Sequence, residues 1–144
     1  MIILYAEDEE NDVFFLRRAF KLAGSLHTLS DVPDGEQAIQ YLAGEGPFAD
    51  RTNYPLPALI LLDIKMPRKS GLEVLEWIRQ QPHFKSLPVL MFTSSSRQED
   101  IDTARLLGAD DYLIKPTDPL QLIDLVKSLD ERWLSQQEAP ARNR

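Results

Sequence analysis

The chain contains no cysteine. That removes disulfides, thiol nucleophiles and thiolate metal sites together. Its two histidines, His27 and His83, stand far apart with no second ligand at zinc spacing, so a zinc centre is not expected. His83 reads as a loop residue, not a phosphodonor. Lys and Arg number 16 against 23 acids, a formal net charge of −7, and they form no block. A nucleic-acid module usually shows a basic stripe, so DNA is not an expected partner. No apolar run approaches the roughly 18 residues of a membrane span. The opening "MIILYAEDE" has neither the basic start nor the long apolar stretch of a signal peptide. A cytoplasmic protein with no membrane partner is expected.

What is present is an ordinary apolar fraction, 43% of 144 residues, enough for one sizeable core. The spacing predicts a domain over 1–134 and a polar, disordered tail over 135–144, "SQQEAPARNR". Short apolar runs alternate with helical patterns. Strands are predicted at 2–6, 27–32, 58–62, 88–93 and 111–115. Between them lie helices with start and stop signals. Val13, Leu16, Phe20 and Ala23 recur at helical spacing before Gly24. Asp34-x-x-Gln37, Ser70-x-x-Glu73 and Ser96-x-x-Glu99 read as capping signals. Asp118 followed by Pro119 opens the last helix, predicted to run to 134. Trp77 and Trp133 read as packing residues. Residues 45–57, "EGPFADRTNYPLP", form a long Pro-rich connection.

Alternation of this kind implies a parallel sheet with helices on both faces. The nearly all-apolar runs ending at Leu62 and Thr93 suit central strands, buried on both sides. Parallel strands place all their carboxyl ends along one edge, where open sheets of this class bind ligands. Glu7 and Asp8 follow the first strand, Asp63 the third, Thr93 closes the fourth and Lys115 the fifth. Three carboxylates, a hydroxyl and an ammonium therefore converge from four strands.

Crowded carboxylates raise one another's pKa unless something neutralises them. A hard divalent cation such as Mg²⁺ resolves this and leaves positions open for phosphate oxygens. An Asp carboxylate can act as the nucleophile toward a phosphoryl group. Lys and hydroxyl partners can then neutralise the transferred oxygens.

The segments "AEDE", "LLDIKMPRKSG", "FTSS" and "YLIKP" together resemble the receiver domains of two-component response regulators. The resemblance covers about residues 2–134. Within that family, "EDEENDVFFLRRAF", the Pro-rich stretch before the third strand and "KPTDPLQL" most resemble the stand-alone receivers that partner bacterial phytochromes. The resemblance implies a flavodoxin-like, doubly wound α/β fold: a five-stranded parallel sheet in the order 2-1-3-4-5 with five helices. It implies Asp63 as phosphoacceptor, Asp8 and Asp63 as Mg²⁺ ligands, and Glu7 as a ligand acting through water. The backbone carbonyl of Lys65 would be a further ligand. Thr93 and Lys115 would contact the phosphoryl oxygens, Tyr112 would be the switch aromatic, and the Lys115–Pro116 bond would be cis. Thr117, after Pro116, departs from the commoner family pattern.

The function this implies is a stand-alone receiver, not an enzyme toward other molecules. A sensor histidine kinase, of phytochrome type, would feed it, and the readout would be partner binding, dimerisation or onward phosphotransfer to a histidine phosphotransfer protein. The alternative is an Asp-nucleophile phosphatase like the haloacid dehalogenases. Those carry a second Asp two residues after the nucleophile, where this chain has Lys65. On a helical wheel, Leu122, Leu125, Val126, Leu129 and Trp133 form a core-facing arc. Leu120, Ile123 and Leu134 form a second arc, which predicts a homodimer through the last helix and the fifth strand.

Overall fold

A computed structural model describes residues 1–134; the expected disordered tail over 135–144 lies outside the described residues. Five strands, β1 (Ile2–Ala6), β2 (Thr28–Val32), β3 (Leu59–Leu62), β4 (Val89–Thr93) and β5 (Asp111–Ile114), alternate with five helices. The helices are α1 (Glu10–Leu22), α2 (Gly35–Ala43), α3 (Gly71–Gln80), α4 (Gln98–Leu106) and α5 (Pro119–Leu129). Every strand pair is parallel and the order is β2-β1-β3-β4-β5, the doubly wound arrangement expected.

The sheet divides the core in two because successive side chains point to opposite faces. Leu4, Ala6, Ile60, Leu62, Val89 and Met91 meet α2, α3 and α4 through Ala38, Leu42, Val74, Ile78 and Ala104. Ile3, Tyr5, Leu59, Leu61, Leu90 and Phe92 meet α1 and α5 through Val13, Leu16, Phe20, Val126 and Leu129. All four residues of β3 are fully buried. At about 1.5–3 kcal/mol for each buried aliphatic side chain, this strand belongs at the centre, which fixes Asp63 at the middle of the carboxyl edge.

Local signals set most helix ends. Asp34 accepts from the Gln37 backbone N–H at 2.8 Å. Ser70 and Glu73 form the full reciprocal box, at 3.2 and 3.0 Å. Asp118 accepts from Leu120 N–H at 2.9 Å. Past α1, Gly24 takes φ +72°, and Ser25 N–H reaches back to the Phe20 carbonyl at 3.1 Å. Only glycine adopts that left-handed turn without steric cost.

Three expectations need correction. The Ser96–Glu99 box does not form. Helix α4 begins at Gln98, later than the pattern suggests, and Arg97 at its N-cap makes no side-chain cap bond. Ser95 acts instead: its hydroxyl accepts from Arg97 N–H at 3.3 Å and donates to Asp100 at 2.6 Å. Second, α5 ends at Leu129 and a π-helical turn follows over Asp130–Leu134. A constant wheel angle fails across that wider turn. Leu134 is therefore fully buried, and Ile123 is half-buried against the α1–α5 core, which leaves Leu120 as the exposed member of that arc. Third, the Lys115–Pro116 bond is trans, since no described peptide bond is cis. The Pro-rich connection is present as expected, and the structure shows it pinned to the end of α2. Arg51 donates to the carbonyls of Tyr41 and Leu42, each at 2.8 Å, and of Tyr54 at 3.1 Å. Phe48 packs there against Tyr41 and Tyr54.

Candidate functional site

The carboxyl edge of the sheet gathers the residues that the strand ends were expected to bring. Glu7 and Asp63, from adjacent β1 and β3, are both buried. Thr93, at the end of β4, is buried as well. Asp8 is exposed at the mouth. Carboxylate oxygens of Glu7, Asp8 and Asp63 lie within 4.8 Å of one another. Lys65, whose carbonyl the family resemblance names, follows in the β3–α3 loop with its side chain exposed.

Lys115 enters from the end of β5 and neutralises part of this cluster. Its ammonium donates to Asp63 Oδ2 at 2.9 Å and to Asp12 Oδ2 at 2.8 Å, and it makes a short contact with Glu7 Oε1. Only 13% of the Lys115 side chain is exposed, so these contacts are poorly screened. Burial disfavours its charge, but the hydrogen bonds to Asp12, Glu7 and Asp63 outweigh that and push its pKa above the ordinary lysine range.

The two buried carboxylates are driven apart. Burial, then the hydrogen bond it shares with Asp63, pushes the Glu7 carboxyl up to about 7 against the pull of Lys115. For Asp63 burial works in the same upward direction. Hydrogen bonds with Glu7 and Lys115, the ammonium charge and the Thr93 hydroxyl outweigh it and hold the carboxyl below its usual range. Glu7 thus keeps a proton in conditions where Asp63 stays ionised. Further support for Glu7 comes from the Tyr5 hydroxyl, donating to Oε1 at 3.0 Å, and from Glu9 N–H, donating to Oε2 at 3.2 Å.

The donor set fits a hard divalent cation. Three carboxylates with one open, exposed member match the preference of Mg²⁺ for a few carboxylate oxygens plus water. A cation must compete with the Glu7 proton. Apparent affinity for a divalent cation is therefore expected to rise with pH up to about 7 and to level off above it, with a slope below that point of up to about tenfold per pH unit. Calorimetric titrations across that range check this; a flat profile contradicts it.

A second chain of contacts leads from the site to α4 and β5. Ser95 N–H donates to Thr93 Oγ1 at 3.4 Å, and the Tyr112 hydroxyl donates to the Ser95 carbonyl at 2.9 Å. The Tyr112 ring is half-buried and packs against the α2–α3–α4 side of the core.

The structure adds three residues that the sequence reading missed: Asp12, Tyr5 and Ser95. Tyr5 had a legible signal, since it shares a strand face with Glu7 two residues on. Asp12 had a weaker one, standing one helical turn beyond Asp8.

A parallel sheet with carboxylates, a hydroxyl and a lysine gathered at its carboxyl edge is the arrangement of a receiver-type regulatory domain. The chain belongs to the response regulator receiver domain family, whose sequence model matches residues 3–127. The haloacid-dehalogenase-like alternative gives way to this. The response regulator Rcp1 of Synechocystis sp. is 33% identical over 140 residues, covering 97% of this chain and 93% of that protein. The crystal structure of the phosphorylated cyanobacterial phytochrome response regulator RcpA superposes with a TM-score of 0.84 at 35% identity, covering 94% of each chain. The Mn²⁺-bound form of Rcp1 superposes with a TM-score of 0.80 at 33% identity, covering 92% of this chain and 94% of that one. Among the described residues, no helix is long and apolar enough to cross a membrane.

Proposed function

We propose that Asp63 is the phosphoacceptor of this receiver, that Mg²⁺ assists the transfer, and that the donor is a phytochrome-type sensor histidine kinase. The observation that carries this is the Lys115 ammonium 2.9 Å from the buried Asp63 carboxylate, at the strand edge that also holds Glu7, Asp8 and the buried Thr93 hydroxyl. A carboxylate oxygen of Asp63 attacks the phosphorus of a phosphohistidine. The new O–P bond forms as the P–N bond breaks, and the departing imidazole keeps the electron pair and takes a proton. Lys115 and the Thr93 hydroxyl neutralise the transferred oxygens. Asp8, Asp63 and the Lys65 carbonyl would hold Mg²⁺ directly, and Glu7 through water. When bound, the ion supplies further charge neutralisation. The similarity to Rcp1 and RcpA supports the phytochrome-type donor.

The chemistry acts on the chain's own aspartate, in forming and hydrolysing its phosphate, and not on other substrates. The readout is conformational. Thr93, drawn toward the phosphoryl group, shifts the Ser95 backbone and with it the Tyr112 hydroxyl, biasing a two-state element. Protein partners are expected, not DNA, given the −7 charge.

The test is incubation with acetyl phosphate, read by intact mass. One phosphoryl group is expected with Mg²⁺ and none with EDTA; equal incorporation in both overturns the assignment. A second prediction separates the roles of the site residues. A charged Lys has no lone pair for a metal. Lys115→Ala should therefore keep or raise Mg²⁺ affinity, because a competing cation is gone, while losing the conformational response to phosphorylation. A large fall in Mg²⁺ affinity would contradict the role.

The partner surface proposed is a two-fold homodimer through β5 and α5. Support comes from the sheet-edge position of β5 with Ile114 exposed, and from Leu120, 69% exposed on α5. Light scattering with and without beryllofluoride should show a dimer that Leu120→Glu weakens. A monomer in every state would end this reading.

A further inference from the structure

The Lys115 ammonium has three N–H donors, and all three are used, on Glu7, Asp63 and Asp12. These acceptors are not equivalent. Glu7 and Asp63 belong to the carboxylate cluster with Asp8, within 4.8 Å of one another, and Asp12 stands outside it. Asp12 comes from a different element, the first turn of α1, where its own backbone N–H is held by the Glu9 carbonyl at 3.1 Å. Asp12 and Lys115 border the same small cavity of about 50 Å³, with Tyr5, Phe15 and Phe92.

Occupation of the site withdraws two of the three partners. A divalent cation competes for Glu7, and conversion of Asp63 to an acyl phosphate removes its carboxylate charge. Asp12 alone keeps its full charge facing the ammonium. We infer that Asp12 is a positioning residue, which holds Lys115 aimed across the site while the cation and the phosphoryl group take up its other acceptors. The inference rests on Asp63 as phosphoacceptor and extends it to a fourth carboxylate. It also ties the first turn of α1 to the state of the site, through a single hydrogen bond from β5.

Simple electrostatics makes the opposite prediction, which is what makes the test sharp. Removing a negative charge near an anion-binding site should strengthen anion binding. Loss of an anchor should weaken it. Beryllofluoride is titrated calorimetrically at saturating Mg²⁺ into wild type, Asp12→Asn, Asp12→Glu and, as a control, Glu10→Gln, an exposed acid on the same turn. Mg²⁺ affinity is measured separately.

Asp12→Asn is expected to weaken beryllofluoride binding roughly tenfold while Mg²⁺ affinity stays within about twofold. Asp12→Glu should recover part of the loss, and Glu10→Gln should match wild type. The pair also closes a double-mutant cycle. In the Lys115→Ala background, Asp12→Asn should cost nothing more. Unchanged or tighter beryllofluoride binding by Asp12→Asn would overturn the inference. So would an equal fall in Mg²⁺ affinity, or a full additional loss without Lys115. Failure of wild type to bind beryllofluoride with Mg²⁺, or binding by Asp63→Asn as strong as wild type, would overturn the phosphoacceptor reading and this inference with it.

Discussion

Asp63→Asn is expected to abolish phosphoryl incorporation from acetyl phosphate and from a phosphorylated donor alike. An amide oxygen is not a nucleophile of useful strength, and the site offers no substitute. Glu7, the other buried carboxylate, holds its proton up to about pH 7 and is capped by Tyr5 and Lys115. Asp8 is exposed and lacks the lysine contact. The change should also lower Mg²⁺ affinity, by about tenfold or more, because one of three clustered carboxylates loses its charge. Folding should survive, since asparagine has nearly the same shape and its carbonyl can still accept from Lys115. Intact-mass spectrometry and a thermal melt measure both. Incorporation that persists in the variant would place the acceptor elsewhere.

Gly71→Ala is expected to damage stability and site together. An added Cβ would sit 2.0 Å from the carbonyl oxygen of Asp63 and 3.2 Å from Ile64 Cα. Those atoms are backbone, so no rotamer change relieves the clash. Gly71 N–H also bonds the Ile64 carbonyl at 2.9 Å, which locks α3 against the end of β3. Either the helix moves outward or the Asp63 segment moves. Overpacking of this kind costs about 1–3 kcal/mol or more. At roughly 2–4 °C per kcal/mol for a chain of this size, the melting temperature should fall by several degrees. The rate of Asp63 phosphorylation should drop even where the protein remains folded. Ser70→Ala provides the contrast. It removes the cap next door at a cost of about 1 kcal/mol, with no group pushed into Asp63, and should leave phosphorylation near normal. Equal effects of the two variants on phosphorylation would show that the close approach at Gly71 does not matter to the site.

Much of the site was legible because a parallel sheet converts strand order into position. Any residue just past an apolar run of the right length must lie on the same edge. Glu7, Asp63, Thr93 and Lys115 could therefore be brought together with no coordinates. The caps at Asp34, Ser70 and Asp118 were legible for a similar reason, since each is a contact between residues two or three apart. Where two local signals competed, the pattern misled. Ser96 has the spacing for a capping box, but α4 starts at Gln98, and Ser95 satisfies the turn through Asp100 and Arg97.

The sequence by itself determined the alternation of strands and helices, the burial of β3 on both faces, and the set of chemical groups at the carboxyl edge. All of these follow from periodicities of two and 3.6 and from the charges present. Tertiary structure alone decided how those groups share protons and hydrogen bonds. Lys115 could have faced Asp63 only; packing against α1 gives it Asp12 and Glu7 as well. Leu134 looked like surface on a uniform wheel, and a π turn after Leu129 carries it into the core. Arg51 lies in the Pro-rich connection with no local signal for its role, yet it closes the end of α2 by donating to the carbonyls of Tyr41 and Leu42 in the helix's last turn. In each case a few ångströms of displacement between distant segments choose the partner. Local pattern constrains direction along one element, not the distance between two.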